Sequence, residues 1–190
     1  MSNLNVFIHV TVDGFFAGPH GEIDWFKSIE KDAEYDAFTH EQAKAGGALL
    51  FGRTTYEMMK SYWPTADASK SDPDMAEVMR NSRKIVISKT LDKAEEGPNW
   101  KNIILMHEIT PKEIEQLKER ERKDITILGS GSIVQQLAKL QLIDNYGLVV
   151  VPNILGAGKY LFKDVDKTAL KLLLARPFKN GITFLAYSPA

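Results

Sequence analysis

Short apolar, β-branched runs recur along this chain with helix-forming segments between most of them, and strands joined in that way lie parallel, with crossovers covering both faces of the sheet. The first run is Val6 to Val12, where Val6, Ile8, Val10 and Val12 share one face and Phe7, His9 and Thr11 the other, as in a central strand. It stops at Asp13-Gly14, and Gly14, Gly18, Pro19 and Gly21 predict a long irregular loop to Glu22. Helix-forming residues from about Lys31 to Ala45 end at Gly46-Gly47, ahead of the buried-strand run Ala48-Leu49-Leu50-Phe51.

A further helix begins near Arg53. Asp72-Pro73 announces a short one, with Asp as N-cap and Pro in the first helical position. Lys84 to Ser88 and Ile103 to Met106 are strands, and Thr110-Pro111-Lys112-Glu113 is a capping box that opens a charged helix to about Arg122. Ile125 to Leu128 is a strand, Gly129-Ser130-Gly131-Ser132 a tight loop, Ile133 to Leu140 a helix and Tyr146 to Val151 a strand. Leu170, Leu172 and Leu174 alternate, and Asn180-Gly181, the preferred pair of a type I′ turn, leads into Ile182 to Tyr187 as the second arm of a hairpin. The pattern predicts one α/β domain over residues 1–190, its sheet mixed, mostly parallel and closed by an antiparallel hairpin.

Charge and composition remove several function classes. With 24 Lys plus Arg against 25 Asp plus Glu there is no basic excess for neutralising phosphates, so no nucleic-acid partner is expected. The absence of Cys excludes disulfides, iron–sulfur clusters, thiolate zinc sites and a cysteine nucleophile. The four histidines, His9, His20, His40 and His107, have no paired spacing, so no metal is expected and each reads as a surface or partly buried structural residue. No apolar stretch approaches a membrane span and the chain starts directly in a strand, which predicts a cytoplasmic protein without a membrane partner.

Two segments share one design of buried strand, glycine, small hydroxyl residues and helix: Leu49 to Glu57 around Gly52-Arg53-Thr54-Thr55, and Ile127 to Ser132 around Gly129-Ser130-Gly131-Ser132. Glycine admits an anion to the backbone, a helix start offers free N–H groups, and hydroxyls add donors. Two such ends suit a diphosphate, and Arg53 adds a guanidinium. The plainer alternative makes Thr54 and Ser132 helix caps and the glycines simple turns. Gly156-Ala157-Gly158-Lys159 is not a phosphate loop, since Asn153 stands at the place of the first glycine and Tyr160 at that of the magnesium-binding hydroxyl. Val134 likewise breaks the three-glycine dinucleotide fingerprint.

Gly52-Arg53-Thr54-Thr55-Tyr56-Glu57 resembles the cofactor-binding signature of the dihydrofolate reductase fold, and Gly129-Ser130-Gly131-Ser132 its second phosphate loop. Val12-Asp13-Gly14-Phe15-Phe16-Ala17-Gly18, running to Asp24-Trp25, resembles the start of the riboflavin-biosynthesis reductase domain of RibD C-terminal type, as does Pro152 to Gly158 with Leu161-Phe162. The resemblance implies a three-layer α/β/α fold and an NADPH-dependent oxidoreductase passing hydride to a pyrimidine- or pteridine-like small molecule, of the 5-amino-6-(5-phosphoribosylamino)uracil reductase type. It further implies that Ala17 borders the nicotinamide, that Gly52, Arg53, Thr54, Thr55, Gly129, Ser130, Gly131 and Ser132 meet the phosphates, and that Ser88 and Lys89 meet the 2′-phosphate.

Classical members place a carboxylate on the helix after the tryptophan. Asp24 and Glu30 are therefore the candidate catalytic acids, each with a plainer reading as a surface acid. A nucleotide-binding regulatory or scaffold protein without turnover is the alternative function. A homodimer is expected, its exposed contact residues around Tyr160, Leu161 and Phe162.

Overall fold

The computed structural model describes residues 1–26 and 29–190. Strand β1 (Leu4–Thr11) leads through the short β2 (Phe15–Ala17) and a single 3-10 turn (Asp24–Phe26) to helix α1 (Ala33–Ala45). There follow β3 (Ala48–Gly52), α2 (Arg53–Tyr62), α3 (Ala66–Ser71), α4 (Pro73–Asn81), β4 (Lys84–Ile87), β5 (Ile103–Met106), α5 (Pro111–Arg120), β6 (Ile125–Gly129), α6 (Gly131–Lys139), β7 (Asn145–Val151), β8 (Lys159–Tyr160), β9 (Leu170–Pro177) and β10 (Thr183–Pro189). The main sheet is eight-stranded in the order β5-β4-β3-β6-β1-β7-β10-β9. Neighbours from β5 to β7 are parallel, whereas β10 runs against both β7 and β9, so the mixed sheet with a C-terminal antiparallel hairpin is present.

Alternation along the strands divides the core by face. Val6, Ile8 and Val10 join Leu50, Ile85 and Ile127 against Ile114 and Leu117 of α5 and Ile133, Val134 and Leu137 of α6. The opposite face carries two separate clusters. One gathers Phe38 of α1 with Val149, Val151, Phe178 and Phe184, and the other gathers Tyr56 of α2 and Met79 of α4 with Leu49, Phe51 and Val86. Where they meet, over the two central strands, Asn5, Phe7 and His9 of β1 and Thr126 and Leu128 of β6 stay partly exposed. That gap is a cleft floored by the middle of the sheet.

Four helix starts carry side-chain caps: Asp32 accepts from Glu34 and Tyr35, Thr65 from Ala68, Asp72 from Met75 and Thr110 from Glu113. The structure departs from expectation in several places. Val12 lies beyond the end of β1 and is exposed. The glycine-rich segment is no featureless loop, because Phe15–Ala17 forms a strand that pairs with β8 from far along the chain. Gly131 and Ser132 belong to the first turn of α6 rather than to a loop before it. Gly181 has φ +84 but Asn180 is not in the left-handed region, so the hairpin is not closed by a type I′ turn. Instead Phe178 N–H bonds Ile182 O and Gly181 N–H bonds Phe178 O, while Asn180 N–H is engaged by Asp32 Oδ2 at 3.2 Å. Leu161, expected at a surface, is fully buried at 0% exposure, whereas Tyr160 and Phe162 are exposed.

Candidate active site

β3 and β6 are adjacent, and each runs into a helix at its carboxyl end. Gly52 is the N-cap of α2 and Ser130 the N-cap of α6, and neither start has a side-chain cap bond. Thr54 and Ser132 are therefore not caps, and the first N–H groups of both helices are left for another acceptor. The two ends touch. A Cβ on Gly52 would lie 2.9 Å from Ser130 Oγ, and one on Gly129, whose φ is +129, would lie 3.0 Å from Thr55 Oγ1. Glycine at both positions lets the helix starts converge. Thr54 is exposed, Thr55 is buried between the strands' ends, and the hydroxyls of Ser130 and Ser132 are 2.7 Å apart.

Arg53 is exposed at the mouth of this convergence. Its Nε donates to Glu57 at 2.8 Å and its Nη1 to Thr90 Oγ1 at 3.1 Å, which aims the guanidinium at the loop after β4. There Ser88 Oγ accepts from Thr90 N–H and Leu91 N–H, His107 Nδ1 lies 3.0 Å from Ser88 O, and Lys89 is exposed. The fold thus brings Arg53 and Lys89 to one rim, with Ser88 buried beneath it. Thr90 and His107, which shape that rim, carry no signal in the sequence apart from following a strand.

Above the site the first loop is braced by residues 152–158. Asp13 accepts from Thr11 Oγ1 at 2.6 Å, from Leu155 N–H and from Gly156 N–H at 2.8 Å. These bonds, the Thr11 hydroxyl foremost, hold its carboxyl below the usual range. Asn153 donates to Trp25 O, and Asn153 O accepts from Val12 N–H. Ala17 is buried with its carbonyl against Gly158, and the ring of Phe16 packs onto Gly131. Asp13 and Asn153 are positioning residues that pattern reading passed over, because their partners lie about 130–140 positions away.

The cleft below is aromatic. His9 stacks on Phe26 at 5.1 Å and 22°, and its Nε2 lies 2.8 Å from Tyr35 Oη. Burial pulls the His9 pKa down to about 4 and raises that of Tyr35. Asp24 is exposed at the start of the 3-10 turn, and Glu30 is exposed in a surface depression beside Lys179 and Asn180. Neither carboxylate contacts the other candidate residues among the described ones. A surface depression of about 600 Å³ lies at the opposite ends of the strands near Gly47, Arg83 and Lys123, whereas open α/β sheets bind ligands at the carboxyl ends.

The residues present fit a dinucleotide: two uncapped helix starts separated only by glycine contacts, with a guanidinium, hydroxyls and a lysine along the rim. Among solved structures, dihydrofolate reductase from Enterococcus faecalis complexed with NADP(H) has a TM-score of 0.65 at 16% identity, covering 98% of this chain and 96% of that one. A protein from Shewanella sp. PV-4, provisionally assigned to riboflavin biosynthesis, has a TM-score of 0.76 at 22% identity, covering 100% and 99%. The uncharacterized protein YyaP of Bacillus subtilis (strain 168) is 27% identical over 179 residues, 94% of this chain and 90% of its own. The fold is that of dihydrofolate reductase. Residues 3–184 match the model of the RibD C-terminal domain, and the chain belongs to that family.

Proposed function

We propose that this chain is an NADPH-dependent oxidoreductase acting on a pyrimidine- or pteridine-like compound, of the 5-amino-6-(5-phosphoribosylamino)uracil reductase type. The observation that carries the reading is the convergence of two uncapped helix starts, α2 and α6, beside Arg53. Bound NADPH would supply the hydride. The chain's own residues do the rest: N–H groups at Arg53 to Thr55 and at Gly131 and Ser132, with the hydroxyls of Thr54, Ser130 and Ser132, hold the diphosphate. Arg53, Ser88 and Lys89 hold the 2′-phosphate, and Ala17 borders the nicotinamide. The first loop, braced by Asp13, excludes water from the cleft. Asp24 and Glu30 are proposed only as acids exchanging protons with water at the rim, and unchanged turnover on replacing both by Ala would remove them from the reaction.

Titrating the full chain with NADPH and NADH, then following nicotinamide oxidation over a panel of pterins and the phosphoribosylamino-pyrimidine, tests the reading. Tight NADPH binding with turnover supports it. Binding without turnover on any ring would instead favour a nucleotide-binding protein of regulatory or scaffold role, and no binding would overturn both.

We also propose a homodimer, with the contact moved from Leu161 to β9. This strand ends the sheet order, so its outer backbone edge is unpaired within the described chain. Leu170, Leu172, Leu173 and Leu174 are between 39% and 52% exposed, which puts apolar side chains on both faces of that edge. A second copy is the occupant that fits, because antiparallel pairing about a twofold axis sets the same leucines against each other.

A further inference from the structure

The cleft between the two aromatic clusters is floored by Asn5, Phe7, His9, Thr126 and Leu128, of which only His9 is titratable and none is acidic. These positions belong to the two central strands of the sheet, where both faces are ordinarily covered. His9 is gripped on three sides. Phe26 stacks on it, Phe7 meets it edge-on at 6.3 Å, and Tyr35 meets it edge-on with its hydroxyl 2.8 Å from Nε2. The other ring nitrogen, Nδ1, has no hydrogen-bond partner among the described residues and is not one of the sealed polar atoms left without one.

A neutral imidazole carries one N–H and one lone pair, and the bond made by one nitrogen decides the state of the other. The Tyr35 hydroxyl has no other hydrogen-bond partner among the described residues. A Tyr35 O–H that donates to Nε2 places the proton of His9 on Nδ1, the nitrogen with no protein partner. A polar donor held rigidly in an otherwise aromatic cleft is the usual means by which a pocket orients a flat ligand.

We propose that His9, its tautomer set by Tyr35, is the group that orients the substrate ring, donating from Nδ1 to a carbonyl or ring-nitrogen acceptor of an uncharged heterocycle. This deepens the reductase reading and rests on it for the identity of the reaction. It also assigns a selectivity. A protonated 2,4-diaminopyrimidine presents donors and a positive charge, needs a carboxylate partner, and finds no acidic side chain on this floor.

The test uses the NADPH-loaded full chain with two probes, 5-amino-6-(5-phosphoribosylamino)uracil and 2,4-diaminopyrimidine, and reads the imidazole nitrogen resonances of His9 together with both affinities. The uracil probe is expected to shift the Nδ1 resonance and to bind more tightly than the diaminopyrimidine. His9→Phe, which keeps the aromatic packing, is expected to weaken the uracil probe about tenfold while leaving NADPH affinity unchanged. His9→Gln, which keeps an N–H donor, recovers part of that loss, and Tyr35→Phe lies between.

Unshifted His9 resonances with equal probe affinity in His9→Phe would overturn the proposal, and so would tighter binding of the diaminopyrimidine. Failure of NADPH to bind is a failure of the reductase reading. The same titration without NADPH then decides the role of His9 by whether its resonances move.

Discussion

Phe16 lies across Gly131, its ring filling the space that a Cβ on that glycine would take. The contact joins the first loop to the first turn of α6, so these two segments meet through one aromatic ring and one missing side chain.

Gly131→Ala is therefore expected to push Phe16 out of place and to cost about 1–3 kcal/mol of stability, the usual penalty of overpacking. Chemical denaturation of the variant measures this. Adding Phe16→Ala should return part of the loss, and simple additivity of the two changes would show that the ring and the glycine are not coupled.

Cofactor choice should follow the rim after β4. Lys89 is exposed there with no partner among the described residues, and Arg53 is aimed at it by Thr90. NADPH is expected to bind more tightly than NADH. Lys89→Ala should weaken NADPH about tenfold and leave NADH nearly unchanged, whereas Arg53→Ala should weaken both. Equal affinity of the wild type for the two cofactors would remove Ser88 and Lys89 from the assignment.

Lys84 is fully buried, donates to the carbonyls of Arg80, Ser82 and Lys101, and sits 4.5 Å over the Trp100 ring. Loss of water around the ammonium draws its pKa down to about 8. Because the unfolded chain keeps this proton to about pH 10.4, it binds more protons than the folded one between those values, and stability contributed by this group rises with pH across the window. Lys84→Met leaves buried carbonyls unpaired and should cost about 1–3 kcal/mol near pH 7, with the gap to wild type widening towards pH 10. Denaturation at three pH values checks both statements, and a constant gap would contradict the second.

Light scattering at micromolar concentration should report a dimer for the wild type and a monomer for the paired change Leu172→Lys with Leu173→Lys, since charges on an edge strand block edge-to-edge pairing. A monomeric wild type would count against β9 as the contact.

What could be read from the linear chain was local. Asp72 and Thr110 cap their helices as expected because the partner N–H lies three residues on, and the strand–glycine–helix pattern at Gly52 and Gly129 is likewise contiguous. What escaped depends on residues distant in sequence. Asn180-Gly181 reads as a type I′ pair until Asp32 engages the Asn180 N–H, and Phe15–Ala17 reads as loop until β8 arrives beside it. His9 reads as one more position of a buried strand. Only the separation of the Phe38 cluster under α1 from the Tyr56 cluster under α2 leaves its face of β1 partly exposed. Asp24 and Glu30 show the converse: a motif offset nominates them, and the fold leaves both on the surface.

The place of β1 in the middle of the sheet has a consequence for biosynthesis. It is made before the other described strands, yet its neighbours are β6 and β7, and Asn145 bonds Asn5 across 140 positions. The nascent chain therefore carries an apolar, unpaired segment until β6 and β7 have been made, and contacts of such sequence separation form late. A ribosome stalled before residue 145 would hold a chain with neither a closed sheet nor a cleft, which makes this interval the one in which a holdase chaperone has most to protect.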